Sequence, residues 1–584
     1  MKPHLVSGHP QQWVTSRRPD GGETIVSDGT RAYRIEGAAR DALSALGSDA
    51  GQSLSWNTAP VWLSDSPLVG AGEPWTTEET LGAALSGQPE HCYVLCARRP
   101  AVLAAVFRHV ELSAPATPVL LYGHRAIIGP TLLPRRAPCP RCWIERLLAN
   151  RPALRQRVER GHLLDEGRVS PASLAGFVAT VWEAPRPPLG PDHALCLNLE
   201  SGSWERQRLL PRSGCRCDGM RAVDGGAIED LAGEDLGLFR AVGDVAGAPA
   251  TFSIRTVAGG EGTPAAAGSA ASLDRADATR RALAEAAERL AVRDAPRLAF
   301  LATPSPADAL ETFAPYLPEQ YAEPRFPYAP LTAGTVCRWV GAVDGETGAE
   351  TNVPLQCVAP VLLVDEPRLH PASTTGIAAG VSWASAAEAA LLEVAERDLA
   401  TRAWYEDQLE RLDGSLYAER ELSALLAAGY RGALAVCRTA VPVWVLVAAV
   451  SREGASRGAY GVAAGRTLAE AASHAIEEGV LMHAHREGRG ALLPLRSFDH
   501  LPRVASLPPL PPATDVAALV RHYRPRFVDL TTNSTLAVGL RVVSAFSAAA
   551  VDFPRRGEPV PRARWTPSPA ALARLESGET PFTS

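Results

Sequence analysis

The chain has 584 residues, a formal net charge of −6, and ordinary shares of hydrophobic (46%) and charged (21%) residues, the profile of a soluble chain of two to four domains. The balance of 58 basic against 64 acidic residues offers no basic face for nucleic acid. Lys2 is the only lysine, which excludes a P-loop and a Schiff-base lysine; any phosphate must be met by Arg, metal ions and backbone N–H groups.

The N-terminus, MKPHLVSGHPQQW, lacks the basic-then-apolar pattern of a signal peptide, and residues 1–80 are weakly patterned. Residues 91–130 alternate apolar segments (HCYVLCA, VLAAVF, TPVLLYGH, AIIGP) with Gly and Pro breaks, an α/β rhythm of short buried strands. Residues 143–165 are amphipathic and Arg-rich and predict a helix. APRPPLGP at 184–191 predicts an exposed loop, and the Gly- and Asp-rich stretch around 218–235 a linker. From about residue 235 long Ala/Leu/Glu helices mix with Val-rich strands. The apolar run Thr439–Ser451 is too short for a bilayer and contains Pro442, so it predicts a buried strand. A second Pro-rich loop covers 507–514, and the Pro- and Arg-rich tail after Pro554 predicts an extended segment.

Ten cysteines are too few for a disulfide scaffold and fit a reducing cytoplasm. Cys139-Pro-Arg-Cys142 and Cys215-Arg-Cys217 stand 73 residues apart (215 − 142), and four thiolates from two such knuckles can enclose a structural Zn²⁺. The other six are expected to be buried or incidental. His474, His483 and His485 cluster near the third copy of an internal repeat, but His483 and His485 are two residues apart and do not share a helix face, and neither a Gly-x-Ser-x-Gly elbow nor a Cys-His protease pattern is present.

An internal repeat carries the chemistry. ATRRALAEAAERL (278–290) and AAEAALLEVAERDL (386–399) share Ala-Leu-x-Glu-x-x-Glu-Arg at an offset of 393 − 285 = 108 residues. A weaker third copy, LAEAASHAIEEGV (468–480), has Glu478 in the corresponding place, and each copy follows a Gly/Ala/Ser-rich segment. On a helix Glu285 and Glu288 share a face, as do Glu393 and Glu396. One such copy would read as a solvated helix with Glu–Arg surface pairs. Two copies favour facing helices whose carboxylates converge, an arrangement that must protonate or bind a hard divalent cation. Arg289 and Arg397 add planar donors for phosphate or for the carboxylates.

With those residues in view, TTGIAAGVSWASAAEAALLEVAERDLATRAW (374–404) resembles the YcaO family, through Gly376, Ala378 and Gly380, then Glu393, Glu396, Arg397, Asp398 and Trp404. LGLFRAV (236–242), Trp339 with Val353-Pro354, and FVDLTT (527–532) follow in the family's order. IIGPTLLPRRAPCPRCWIERLLANRP (127–152) resembles the ThiF-like partner domain of peptide cyclodehydratases. The resemblance implies an α/β protein: a weakly patterned region at 1–80 that could be a reduced peptide clamp, a ThiF-like α/β domain with cysteine knuckles over 81–225, and a YcaO-type α/β domain of mixed sheets and packed helices over 231–584.

The resemblance also implies a function. Glu285 and Glu393 hold one Mg²⁺ and Glu288 and Glu396 another; Arg397 contacts the phosphates as the catalytic residue, and Arg289 and Ser382 join it at the ATP. The implied reaction is ATP-dependent cyclodehydration of Cys, or of Ser or Thr, in a ribosomally made precursor peptide, through phosphorylation of a backbone amide oxygen. Implied partners are that peptide, a separate leader-binding protein and a flavin-dependent azoline oxidase, with a homodimer as the assembly; no membrane is implied. The sequence departs from the family at Ala270, Ala271 and Ser272, where Gly-Lys-Gly is common, and at Val381, Ser385, Leu481, Ser544 and the terminal PFTS. Two alternatives stand beside this reading: thioamide or amidine formation by the same fold, against which the cysteine-bearing domain argues, and a non-catalytic peptide-binding scaffold, to which the missing Lys, Asn and Glu positions point.

Overall fold

The structure, a computed structural model, describes residues 115–122, 125–159, 192–198, 203–217, 226–245, 249–258, 268–304, 310–360, 365–495, 513–553 and 558–577, with Phe107, Leu112, Phe498, Leu501 and the short strands at 14–17, 24–27, 32–35, 61–64 and 93–97. The expected peptide clamp (apart from its strands), the loop at 184–191, residues 218–225 of the expected linker and the terminal PFTS lie outside the described residues. The chain divides into two compact units, Met1–Ala241 with Gly259–Pro264, and Val242–Ala258 with Ala265–Ser584. No described helix is long and apolar enough to cross a membrane.

The first unit begins with a three-stranded antiparallel sheet, β1 (Val14–Arg17), β2 (Thr24–Ser27) and β3 (Ala32–Ile35). A six-stranded mixed sheet then runs in sequence order through β4 (Val61–Ser64), β5 (Tyr93–Ala97), β6 (Ala116–Tyr122), β7 (Arg125–Ile128), β8 (His193–Asn198) and β9 (Trp204–Arg208). Its first two pairings are parallel and the rest antiparallel. The stretch 143–165 is not one helix. Helix α1 (Pro140–Asn150) ends at Arg151, and α2 (Pro152–Glu159) starts afresh. Pro152 has no N–H to continue the ladder and drives Arg151 out of the helical region, to φ −122°, ψ 76°.

The second unit is built on three copies of a strand–helix element. β12 (Ser269–Ser272) leads into α3 (Arg275–Asp294), β16 (Ile377–Gly380) into α4 (Trp383–Tyr405), and β20 (Arg457–Gly465) into α5 (Leu468–Glu487). Each helix is started by the side chain of an equivalent N-cap residue: Asp274 accepts from the Ala276 and Asp277 amides, Ser382 from Ser385, and Thr467 from Glu470. The third copy, weak in sequence, is therefore equal in structure.

β12 pairs with β11 (Ser253–Ala258), which pairs with β10 (Ala241–Asp244). β16 is one edge of a sheet ordered β13 (Phe300–Ala302), β14 (Cys337–Asp344), β22 (Arg526–Asp529), β23 (Arg541–Phe546), β16, with β15 (Glu350–Pro354) also on β14. Trp339 and Pro354 are direct partners in that last pairing. β20 lies in an antiparallel sheet with β17 (Leu409–Leu412), β18 (Tyr430–Cys437), β19 (Trp444–Arg452) and β21 (Leu493–Pro494). The apolar run at 439–451 becomes β19 only after Pro442 has passed. Alternation along this sheet separates two cores. Ala435, Cys437, Val445, Val447 and Ala449 join the core of α4, while Leu434, Val436, Leu446, Ala448 and Val450 join that of α5. The tail is not wholly extended as expected: Ser568 caps a helix over Pro569–Glu576.

Helix and strand meet closely because the residues at the contact are small. A Cβ on Gly268 would stand 2.1 Å from the Ala282 carbonyl oxygen, and one on Gly461 would stand 2.2 Å from the Ala475 oxygen and from the Gly479 nitrogen. Both obstacles are backbone and cannot swing away. Gly461→Ala is expected to cost about 1–3 kcal/mol through forced separation of β20 and α5, read as a lower denaturant midpoint.

Candidate functional site

The three helices aim five glutamates at one place, and strand amides fix them. Glu285 Oε2 accepts from the Ser269 N–H at 2.7 Å, Glu393 Oε2 from Gly376 and Ile377 at 3.0 and 3.2 Å, and Glu478 Oε2 from Val462 at 3.0 Å. In each copy a glutamate binds an amide of its own strand 16 residues earlier. The second glutamate of a pair reaches forward to the next copy: Glu288 Oε1 accepts from the Ala379 N–H at 2.8 Å, and Glu396 Oε2 from Ala464 at 3.1 Å. The equivalent forward position on α5 is Leu481, so the circuit has no carboxylate returning to β12. Glu477 instead pairs with Arg281, whose guanidinium donates to the Ala271 carbonyl at 3.3 Å.

The carboxylates act on one another's ionisation. Burial pushes the Glu288 carboxyl well above the usual carboxylate range, with Glu393 and Glu285 adding repulsion. Burial likewise raises Glu393 and Glu478, and it raises Glu396 to about 8, with Glu478 and Glu393 contributing. Arg397 is the counter-charge. Burial opposes its ionisation, but Glu396, Glu478 and Glu393 outweigh that and hold it above the ordinary guanidinium range. It lies 3.3 Å from Glu396 and 3.5 Å from Glu393, with the Phe553 ring 4.5 Å from its centre. Arg289 donates to Glu285 at 3.1 Å. Behind Arg397, Asp398 accepts from the Val551 N–H, Arg402 Nε and Tyr523 O–H at 2.8–3.0 Å. That anchors the segment carrying Phe553 and Asp552, whose carboxylate accepts from Thr375 Oγ1 at 2.6 Å.

The expected glutamates Glu285, Glu288, Glu393 and Glu396 thus converge with Arg289 and Arg397. Ser382 stands apart: it is exposed at the N-cap of α4, bonded to Ser385, with no described contact to the carboxylates. Glu478 belongs to the cluster although it was not among the expected metal residues. Its signal was the pentapeptide before each helix, GSAAS, GIAAG and GVAAG, which sets the three strands in register.

Cys139, Cys142, Cys215 and Cys217 meet in the first unit, buried, with all four sulfurs within 4.8 Å of one another. Neighbouring Sγ atoms lie 3.9, 3.5 and 3.4 Å apart. Bonds of about 2.3 Å to one tetrahedral Zn²⁺ put sulfurs about 3.8 Å apart, so the set fits that ion. Cys139 caps α1, and the Arg212 N–H donates to Cys142 Sγ at 3.3 Å. Sulfur–sulfur hydrogen bonding lowers the Cys139 thiol to about 7 and lowers Cys215, while it raises Cys142 and Cys217; four such thiols cannot all ionise without a cation. Among the described residues these cysteines alone bring three or more potential ligand atoms so close together. The glutamates are spread more widely, as suits an ion that also takes oxygens from a substrate.

Residues 269–550, which span all three copies, match the family model described as YcaO cyclodehydratase, ATP- and Mg²⁺-binding. The chain carries a YcaO domain. Solved structures agree on the fold. A heterocyclase in complex with substrate and cofactor matches at 15% identity over 93% of this chain and 95% of its own, with a TM-score of 0.62. The heterocyclase TruD matches at 16% identity over 96% and 98%, with a TM-score of 0.55. No curated protein matches the chain. The YcaO family binds ATP and Mg²⁺, and the absence of a P-loop lysine here agrees with a site built from glutamates and arginines.

The raised carboxyls give a signed pH dependence. Without divalent cations the folded YcaO domain holds protons that the unfolded chain releases near pH 4.5, so stability falls as pH rises from there toward 8. In EDTA the melting temperature is expected to be higher at pH 6 than at pH 8.5. Mg²⁺ should narrow the gap, and Glu396→Gln should reduce it.

Proposed function

We propose that the protein is an ATP-dependent peptide cyclodehydratase that converts Cys, and also Ser or Thr, of a ribosomally made precursor to thiazoline or oxazoline in azole-peptide (thiopeptide or bacteriocin-like) biosynthesis. The observation that carries the reading is the convergence of five strand-anchored glutamates on Arg397 inside a YcaO fold. In this reading Glu285, Glu288, Glu393 and Glu396 hold Mg²⁺, and Glu478 completes the negative wall. The strand amides fix each carboxylate so that little reorganisation is needed on binding. Arg397, already oriented by two glutamates and the Phe553 ring, and Arg289 present N–H groups to the phosphates. When bound, Mg²⁺-ATP supplies the phosphoryl group that takes up a backbone amide oxygen as phosphate, after a substrate thiol or hydroxyl has attacked the preceding carbonyl carbon.

The first unit supports the assignment by its cysteine cluster, read here as a structural Zn²⁺ site in a ThiF-like domain. The leader of the precursor is taken by a separate protein, a flavin-dependent oxidase completes the azole, and the enzyme works in the cytoplasm as a homodimer.

The deciding experiment is incubation with ATP, Mg²⁺ and a Cys-bearing precursor peptide. Mass spectrometry should show loss of one water per modified Cys, with phosphate released in step. Glu393→Gln and Arg397→Met, folded by circular dichroism, should lower the rate on the order of 10²-fold or more. Tight peptide binding with no dehydration and no ATP hydrolysis would replace this reading with a scaffold. Elemental analysis should separately find one zinc per chain, lost in Cys142→Ser together with a lower unfolding midpoint of the first unit.

A further inference from the structure

On the opposite face of β23 from α4, the Phe546 ring is flanked by polar groups that nothing in the reading above uses. The Arg564 guanidinium lies 5.3 Å from the ring centroid, and His370 meets the same ring edge-on at 6.2 Å. Nε and Nη2 of Arg564 are buried with no hydrogen-bond partner, and among the described residues no carboxylate pairs with this cation. His370 Nδ1–H donates to the Pro371 carbonyl at 3.0 Å, which leaves Nε2 a lone-pair acceptor; it is buried and unpartnered.

The residues are held in place. The Arg564 N–H donates to the Pro561 carbonyl at 2.9 Å, and its own carbonyl accepts from Arg402 Nη2 at 3.2 Å. Asp552 is occupied by Thr375 and by the Phe553 N–H. Thr375, which Asp552 holds, precedes Gly376, whose N–H donates to Glu393, so Asp552 stands next to the carboxylate cluster, and its charge also reaches Arg564. A buried cation with open donors calls for an anion. A neutral imidazole with a free lone pair calls in addition for a donor on that anion. Burial and the neighbouring Arg564 keep His370 neutral, at about 3. A carboxylate or sulfate has no hydrogen to offer at neutral pH, whereas hydrogenphosphate has one P–OH together with several acceptor oxygens.

We propose that Arg564 and His370 form a binding site for hydrogenphosphate beside the carboxylate cluster, with Arg564 donating to its oxygens and His370 Nε2 accepting its P–OH. That the natural occupant is the phosphate released during turnover rests on the proposed function; the binding itself does not.

The test is equilibrium dialysis of the full chain against radiolabelled inorganic phosphate in EDTA, without nucleotide or peptide. Under those conditions the Mg²⁺-free glutamates repel phosphate. One saturable equivalent is expected, with sulfate competing at least about tenfold less well. Arg564→Gln should weaken binding at least about tenfold. His370→Leu should bring phosphate and sulfate to similar affinity. Should Arg564→Gln fail to fold, Arg564→Lys, which keeps the charge and loses the planar fork of donors, should weaken phosphate by a smaller factor. No saturable binding at millimolar phosphate, equal competition by sulfate in the unmodified protein, or unchanged binding in the folded variants would each overturn the site. Phosphate bound here by a chain that does not dehydrate peptides would overturn the proposed function and leave this site standing.

Discussion

Mutual repulsion of half-buried carboxylates is the constraint around which the second unit is built. Charges of one sign at short range in a poorly hydrated space raise one another's proton affinity, and only three remedies exist: protons, a fixed cation, or dipoles aimed at the oxygens. All three are present. Glu396 sits poised near neutrality, Arg397 is held between two glutamates, and strand N–H groups point at every member of the set. The Ala-rich packing follows from the same need, because the glutamates can reach the strand amides only if helix and strand approach within the width of a glycine.

Much of this was legible in the sequence, and the reason is local. A helix places residues i and i+3 side by side whatever its surroundings, so Glu-x-x-Glu-Arg announces a paired acidic face at 285–289 and 393–397. A repeated small-residue prelude announces a repeated strand. The forward reach of Glu288 to Ala379 and of Glu396 to Ala464 was not legible, since it depends on how separate copies stand in space. Glu478 was aligned with its counterparts but lacks an acid three residues on; only the shared distance to its strand makes it their equal. The single helix expected over 143–165 is broken at Pro152, whose missing N–H and clash with Arg151 override the amphipathic period.

The tail illustrates a second limit. Its prolines and arginines suggest an extended, solvated segment, and composition cannot reveal that Trp565 enters the α4 core and carries Arg564 inward with it. The cysteines show the reverse. Cys215-x-Cys217 has a tighter spacing than a usual knuckle, yet the turn after β9 brings both sulfurs onto the two at the start of α1. Spacing along the chain set the chemistry, and the fold supplied the closure.

The circuit from Glu285 to Glu478 has a temporal consequence as well. Its first carboxylate leaves the ribosome 193 residues before its last (478 − 285), so each early strand–helix copy is synthesised with only the arginine of its own helix to meet its acids, before the forward strand exists. Contacts of such long sequence separation form late and slowly. Closure of the circuit therefore waits for the third copy, because Glu396 meets the Ala464 N–H only once β20 has been made.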